Sequence, residues 1–149
     1  MKKLSILICL IVLVLTGCSN KESTTGNVVP NIEDHTWRMT TVQSTEADGQ
    51  VIVHAPGTVG VPDTSVEVVL KCAAADGELT LTDEAKGNTY TGTYELTDTS
   101  QETRIYEIVV GDSEGMAVVS MTTYQDERQT PTLIISLDDY ALNFFPLSE

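Results

Sequence analysis

The stretch "ELTLTDEAKGNTYTGTYEL", residues 78–96, constrains the fold more than any other part of the chain. Leu79 and Leu81 alternate with Thr80 and Thr82. Past Gly87-Asn88, Tyr90, Tyr94 and Leu96 share one face while Thr91, Thr93 and Glu95 take the other. Successive side chains of a strand point to opposite sides, so one apolar and one polar face at period two is a half-buried antiparallel strand. No stretch beyond residue 36 keeps apolar residues at helical spacing for three turns.

Short β-branched runs split by turn residues predict strands near 37–42, 51–54, 66–72, 78–83, 89–96, 104–110, 116–124, 132–137 and 141–145. Between them stand Asp48-Gly49, Asp76-Gly77, Gly87-Asn88, "GDSEG", "QDERQ" and Asp138-Asp139. Asp-Gly pairs tolerate the positive φ that tight hairpins require. The expected fold is therefore all-β, an up-and-down antiparallel meander of eight or nine strands. Such a sheet must manage its edges, and closure into a barrel removes them; a two-sheet sandwich is the alternative. One connection is long, "HAPGTVGVPDTS", and reads as a flap over a barrel mouth. "TLIISL" and "YALNFF" are apolar on both faces, which predicts that the tether or a loop covers them from outside.

"HTWRMTTV" resembles the opening strand of lipocalin-like barrels, with His35 standing where that family has glycine. "TYTGTYEL" and "PTLIISLDDYALNF" are similar to middle and final strands of small lipocalin-like lipoproteins. The resemblance implies a barrel with Trp37 plugging one end.

Ahead of the domain, Met1, Lys2 and Lys3 lead into an apolar run over residues 4–15, which closes on Leu15-Thr16-Gly17-Cys18. A basic start and about a dozen apolar residues make a secretory leader, since a membrane span needs about twenty. The ending resembles the bacterial lipobox. That resemblance implies cleavage before Cys18 and acylation of its sulfur, so residues 1–17 are the signal peptide. It also implies a membrane anchor through the acyl chains on Cys18. Residues 18–36, polar and rich in Ser, Thr and Asn, read as lipidated cysteine and tether. Residues 37–149 are the expected barrel domain. Ser19 is not the Asp that retains lipoproteins at an inner membrane, so the expected location is the cell or outer membrane, facing away from the cytoplasm.

With Lys2 and Lys3 removed, six Lys and Arg stand against twenty-two Asp and Glu, a balance of −16. That field repels nucleic acid and anionic head groups and attracts a cationic partner. Cys9 leaves with the leader and Cys18 is acylated, so Cys72 has no intrachain partner and reads as a small buried hydrophobe.

Chemical motifs are sparse. His35 and His54 make no chelating pair with neighbours at metal-ligand spacing, so no metal is expected. Gly111-Asp112-Ser113 lies between two strands and reads as a turn. There is no Gly-x-Ser-x-Gly, phosphate loop or nucleotide fingerprint, so neither an enzyme nor a cofactor is expected. The expected function is a non-enzymatic binding module for a small or apolar ligand, lined by Trp37, Tyr90, Tyr94, Tyr106 and Tyr124. The alternative is a surface interaction protein or inhibitor that binds a cationic protein through its acidic exterior. Small acidic barrel lipoproteins of the lysozyme-inhibitor kind resemble the chain in size and anchoring.

Overall fold

The computed structural model describes residues 28–46, 48–62 and 65–147. Within them run β1 (Trp37–Ser44), β2 (Val51–His54), β3 (Val66–Glu67), β4 (Leu70–Ala75) and β5 (Glu78–Asp83). There follow β6 (Asn88–Thr99), β7 (Thr103–Val110), β8 (Ser113–Thr123), β9 (Gln129–Leu137) and β10 (Tyr140–Pro146). Neighbours from β4 to β10 pair antiparallel. β10 then pairs back onto β1, from Trp37 opposite Pro146 to Ser44 opposite Tyr140, and β1 meets β4 through Trp37–Cys72 and Arg38–Lys71. The sheet closes into an eight-strand antiparallel barrel of the lipocalin-like kind, not a sandwich. Cys18 and the leader lie outside the described residues.

The turn chemistry follows the sequence. Asp48 and Gly49 have φ of 49° and 75°, and Asp76 and Gly77 have 52° and 82°, the paired positive values of a tight hairpin. Closure also depends on two glycines inside strands. A Cβ at Gly92 would lie 2.0 Å from the Val109 carbonyl oxygen, and one at Gly115 would lie 2.0 Å from that of Ser136. Neighbouring strands approach closely at these positions, and the missing side chains let the sheet curl there.

The barrel is not equally wide at its two ends. β1 gives the first half of one edge to β4 and the second half to β2, with Thr41 opposite His54 and Val42 opposite Val53. β3 runs parallel to β2, and Val68 N–H donates to the His54 carbonyl at 2.7 Å. The run expected as one strand over 66–72 is therefore two, β3 and β4, because its hydrogen-bond partner changes at Val68-Val69. β2 is a wedge between β1 and the β3–β4 run. It flares the end that carries the β1–β2, β5–β6, β7–β8 and β9–β10 turns, since barrel width grows with strand number.

The narrow end is closed from within the chain, and here the expected domain boundary shifts. The tether expected over residues 18–36 lies outside the described residues up to 27, and within its remainder Val29 and Ile32 are buried in the core cluster. A 3-10 turn, Ile32–Asp34, sits across the barrel end. Ile32 N–H donates to the Tyr106 hydroxyl at 3.1 Å, Trp37 Nε1 donates to the Ile32 carbonyl at 2.8 Å, and Arg104 Nε donates to the Val29 carbonyl at 3.0 Å. Burying the two apolar side chains and satisfying these backbone groups fixes the segment as a plug. The packed unit thus includes residues 28–36 as well as the barrel.

Above the plug the middle of the barrel is packed with side chains. Trp37, Met39, Cys72, Leu79, Ala117, Val119, Leu133 and Ile135 are all 0% exposed, so no water-sized space touches them from outside or from within. They form one cluster with Val42, Leu81, Ile108 and Phe144.

Candidate functional site: two barrel ends and an outer groove

Of the five aromatic residues expected to line a cavity, three meet at the narrow end and hold the plug. Trp37 and Tyr106 grip Ile32 from either side, as described above. Tyr94 packs edge-on to Tyr106 with ring centroids 5.9 Å apart, and its hydroxyl contacts the Glu33 carboxylate and the Gly77 N–H. Burial and the bond to Glu33 push the Tyr94 phenol up to about 12, and burial raises Tyr106 as well, so both keep their phenolic proton. His35 sets its ring edge-on to Trp37 at 5.2 Å. A shallow space of about 240 Å³ remains beside the plug, lined by Ile32, Glu33, Tyr94, Leu96 and Tyr106.

The other two stand apart. Tyr124 lies in the β8–β9 turn, with the Arg128 guanidinium 4.9 Å from its ring centre. Tyr90 pairs with buried Leu81 and so shares the core face, yet it is 51% exposed. β6 is twelve residues long and overhangs the eight of β7, which carries Tyr90 out to the flared end.

At that end the core face stays apolar but is half open. Val53, Leu70, Val110, Leu137 and Leu142 are partly buried against the core. Tyr140, opposite Leu137, is 46% exposed and is not among the residues expected to line the site. The four turns around this end carry Glu46, Asp48, Glu84, Asp112, Asp138 and Asp139 against the single cation Lys86. The β9–β10 turn is tied to both sides: Thr45 N–H of the β1–β2 turn donates to the Asp139 carbonyl at 2.8 Å, and Ser113 Oγ at the start of β8 donates to Asp138 Oδ2 at 2.9 Å. Gly111-Asp112 makes the β7–β8 turn, with Gly111 at φ 61°.

The long loop expected over a mouth lies elsewhere. Thr58 Oγ1 bonds the Ala55 carbonyl at 2.7 Å and the Thr40 carbonyl at 3.2 Å, which clasps the loop to the outer wall of β1. Between loop and wall is a groove of about 430 Å³, lined by Arg38, Pro56, Val59, Phe145, Pro146 and Leu147 among others. Part of the apolar outer side of β10 is thereby covered, as expected. Ile134 on β9 stays exposed.

Cys72 is buried beside Trp37's strand, and burial pushes its thiol up to about 12, which makes it a poor nucleophile. Among the described residues no three of His, Cys, Asp and Glu gather where a metal ion could be held. Compared with known proteins, the chain matches no family model, no curated protein and no solved structure.

Proposed function

We propose that the chain is a lipid-anchored, non-enzymatic binding module on the outer side of a cell-envelope membrane, and that its recognition end is the flared end of the barrel. The observation that carries this reading is the packed middle of the barrel beneath a half-open flared end. A carrier of the lipocalin kind holds its ligand inside the barrel, and here fully buried side chains occupy the middle of the barrel, which leaves the half-open flared end as the accessible part of the core face. At that end two exposed tyrosines and an apolar floor of the core face stand among turns rich in carboxylates. Exposed aromatic residues supply contact area at low entropic cost, and the carboxylates select cations. The surface-interaction reading with a cationic protein partner is therefore favoured over a small ligand within the barrel.

The chain's direction supports it. Val28 and Val29 reach the barrel at the narrow end, and nine residues separate Cys18 from Val28. Even fully extended, that stretch reaches about 35 Å. Acyl chains on Cys18 would hold the plugged end toward the bilayer and present the flared end outward.

The test uses the full chain produced with its own leader in a host that processes lipoproteins. Intact mass should show cleavage before Cys18 and added acyl chains; an unacylated Cys18 overturns the anchor. A cationic muralytic enzyme should then bind the purified protein, more weakly as salt rises and more weakly still in a Tyr90→Ser, Tyr140→Ser double variant. Salt-independent binding, or binding untouched by the tyrosine changes, removes the flared end as the recognition surface.

A further inference from the structure

We propose that the outer groove at Arg38 binds a small organic carboxylate carrying an apolar body. The local charge arrangement points there. Arg38 and Lys71 are directly opposed on β1 and β4, and Phe145 flanks Arg38 on the other side, giving the cross-strand row Lys71–Arg38–Phe145. Like charges directly opposite each other destabilise a sheet. In a chain with eight Lys and Arg among twenty-two Asp and Glu, two cations side by side need a reason.

Lys71 has one, an ion pair with Glu84 at 2.5 Å. Arg38 has no carboxylate partner among the described residues. Among the described residues its guanidinium is the one charged group lining the groove, and the other described lining residues are apolar or uncharged. An unpaired planar fork of donors matches the two oxygens of a carboxylate, and that geometry is what distinguishes Arg from Lys.

The walls decide what else the ligand carries. Phe145 stands in register with Arg38, Pro56, Pro146 and Leu147 extend the apolar surface, and Val59 is 96% exposed at the lip. Thr58's two bonds to backbone carbonyls hold the loop in place before any ligand arrives. The volume, about 430 Å³, falls in the lower part of the range used by small-molecule sites. An inorganic anion would leave these walls wet, whereas a carboxylate on a flat or aliphatic body covers Phe145 and Pro146 while its head meets Arg38. This site does not depend on the flared end or on acylation.

The probe is 3-phenylpropanoate, titrated into the full chain in mild detergent and followed by amide and Arg Nε–H chemical shifts. The neutral 3-phenylpropanol and inorganic phosphate serve as comparison probes. The carboxylate should shift the Arg38 Nε–H and the amides of Val59 and Phe145. The alcohol should bind about tenfold more weakly or not at all, and Arg38→Gln should lose about tenfold or more in affinity with an unchanged circular dichroism spectrum. Arg38→Lys should fall between the two. Shifts absent with the carboxylate, equal affinity for the alcohol, undiminished binding in Arg38→Gln, or phosphate binding as well as the carboxylate would each overturn the proposal.

Discussion

The Trp37 indole donates to the backbone of Ile32, a residue five positions earlier in the chain, and Ile32 in turn donates to Tyr106 on a strand seventy-four positions later. One residue of the plug therefore ties the first strand of the barrel to the middle of the sheet. Trp37→Phe removes the indole donor and part of the core volume, leaving a buried carbonyl unpaired; the expected cost is about 2–4 kcal/mol. Tyr106→Phe strands the Ile32 N–H and should cost about 1–2 kcal/mol. Because both changes loosen the same residue, the double variant should lose less than the sum. Urea unfolding of the four proteins checks this, and strict additivity would mean that the plug is not a shared element.

Strand closure gives a second expectation. With carbonyl oxygens 2.0 Å from where a Cβ would sit, Gly92→Ala and Gly115→Ala must push neighbouring strands apart. Each should lower stability by about 1–3 kcal/mol. Thr93→Ala, next to Gly92 on the exposed face, should stay within about 0.5 kcal/mol. Comparable midpoints for all three variants would show that the curl has room to spare.

Local pattern and long-range pairing contributed differently to what could be read in advance. β2 and β5 begin and end where their sequence places them, because a short β-branched run, the two-residue period of β5 and the Asp-Gly and Gly-Asn turns beside them are local properties. The wedge was not legible, since nothing in Val66 to Cys72 records that its partner changes from β2 to β5 and β1. The plug was hidden for the same reason. Val28 and Val29 are the same residue type side by side, one 79% exposed and the other 2%, and contacts with the barrel set the difference. The face of Tyr90 was read from alternation, but its exposure depends on how far β6 outruns β7. Arg38 and Lys71 were visible only as isolated cations until strand register made them neighbours.

Asp83 offers a prediction at the flared end. It is 6% exposed, pairs with Leu70 on the core face, and its Oδ1 accepts from the N–H groups of Ala85 at 3.0 Å and Lys86 at 3.3 Å. The side chain supplies the acceptor that the β5–β6 turn needs. Asp83→Ala should cost about 1–2 kcal/mol, and Asp83→Asn less, because the amide oxygen can take the same two bonds. Thermal unfolding of the pair distinguishes turn capping from charge: equal losses would mean that the negative charge matters and the acceptor does not.

Cys72 sets the response to alkali. Its thiol rises from an ordinary 9.0 to about 12 through burial. Below pH 9 both folded and unfolded chains keep this proton, and the group contributes no pH dependence. Between about pH 9 and 12 the unfolded chain gives the proton up while the folded chain retains it, so the unfolded state is favoured and stability falls with rising pH. The slope approaches about 1.4 kcal/mol per pH unit within that window. Tyr94, raised from 10.0 to about 12, adds to the loss above pH 10. Comparing the wild type with Cys72→Ala from about pH 8 to 10 separates the thiol from the tyrosines. The variant should start lower by about 1 kcal/mol for the lost volume and stay flatter as pH rises. Parallel curves would mean that the thiol ionises as readily in the barrel as in the unfolded chain, and prompt alkylation of the native protein at neutral pH would say the same.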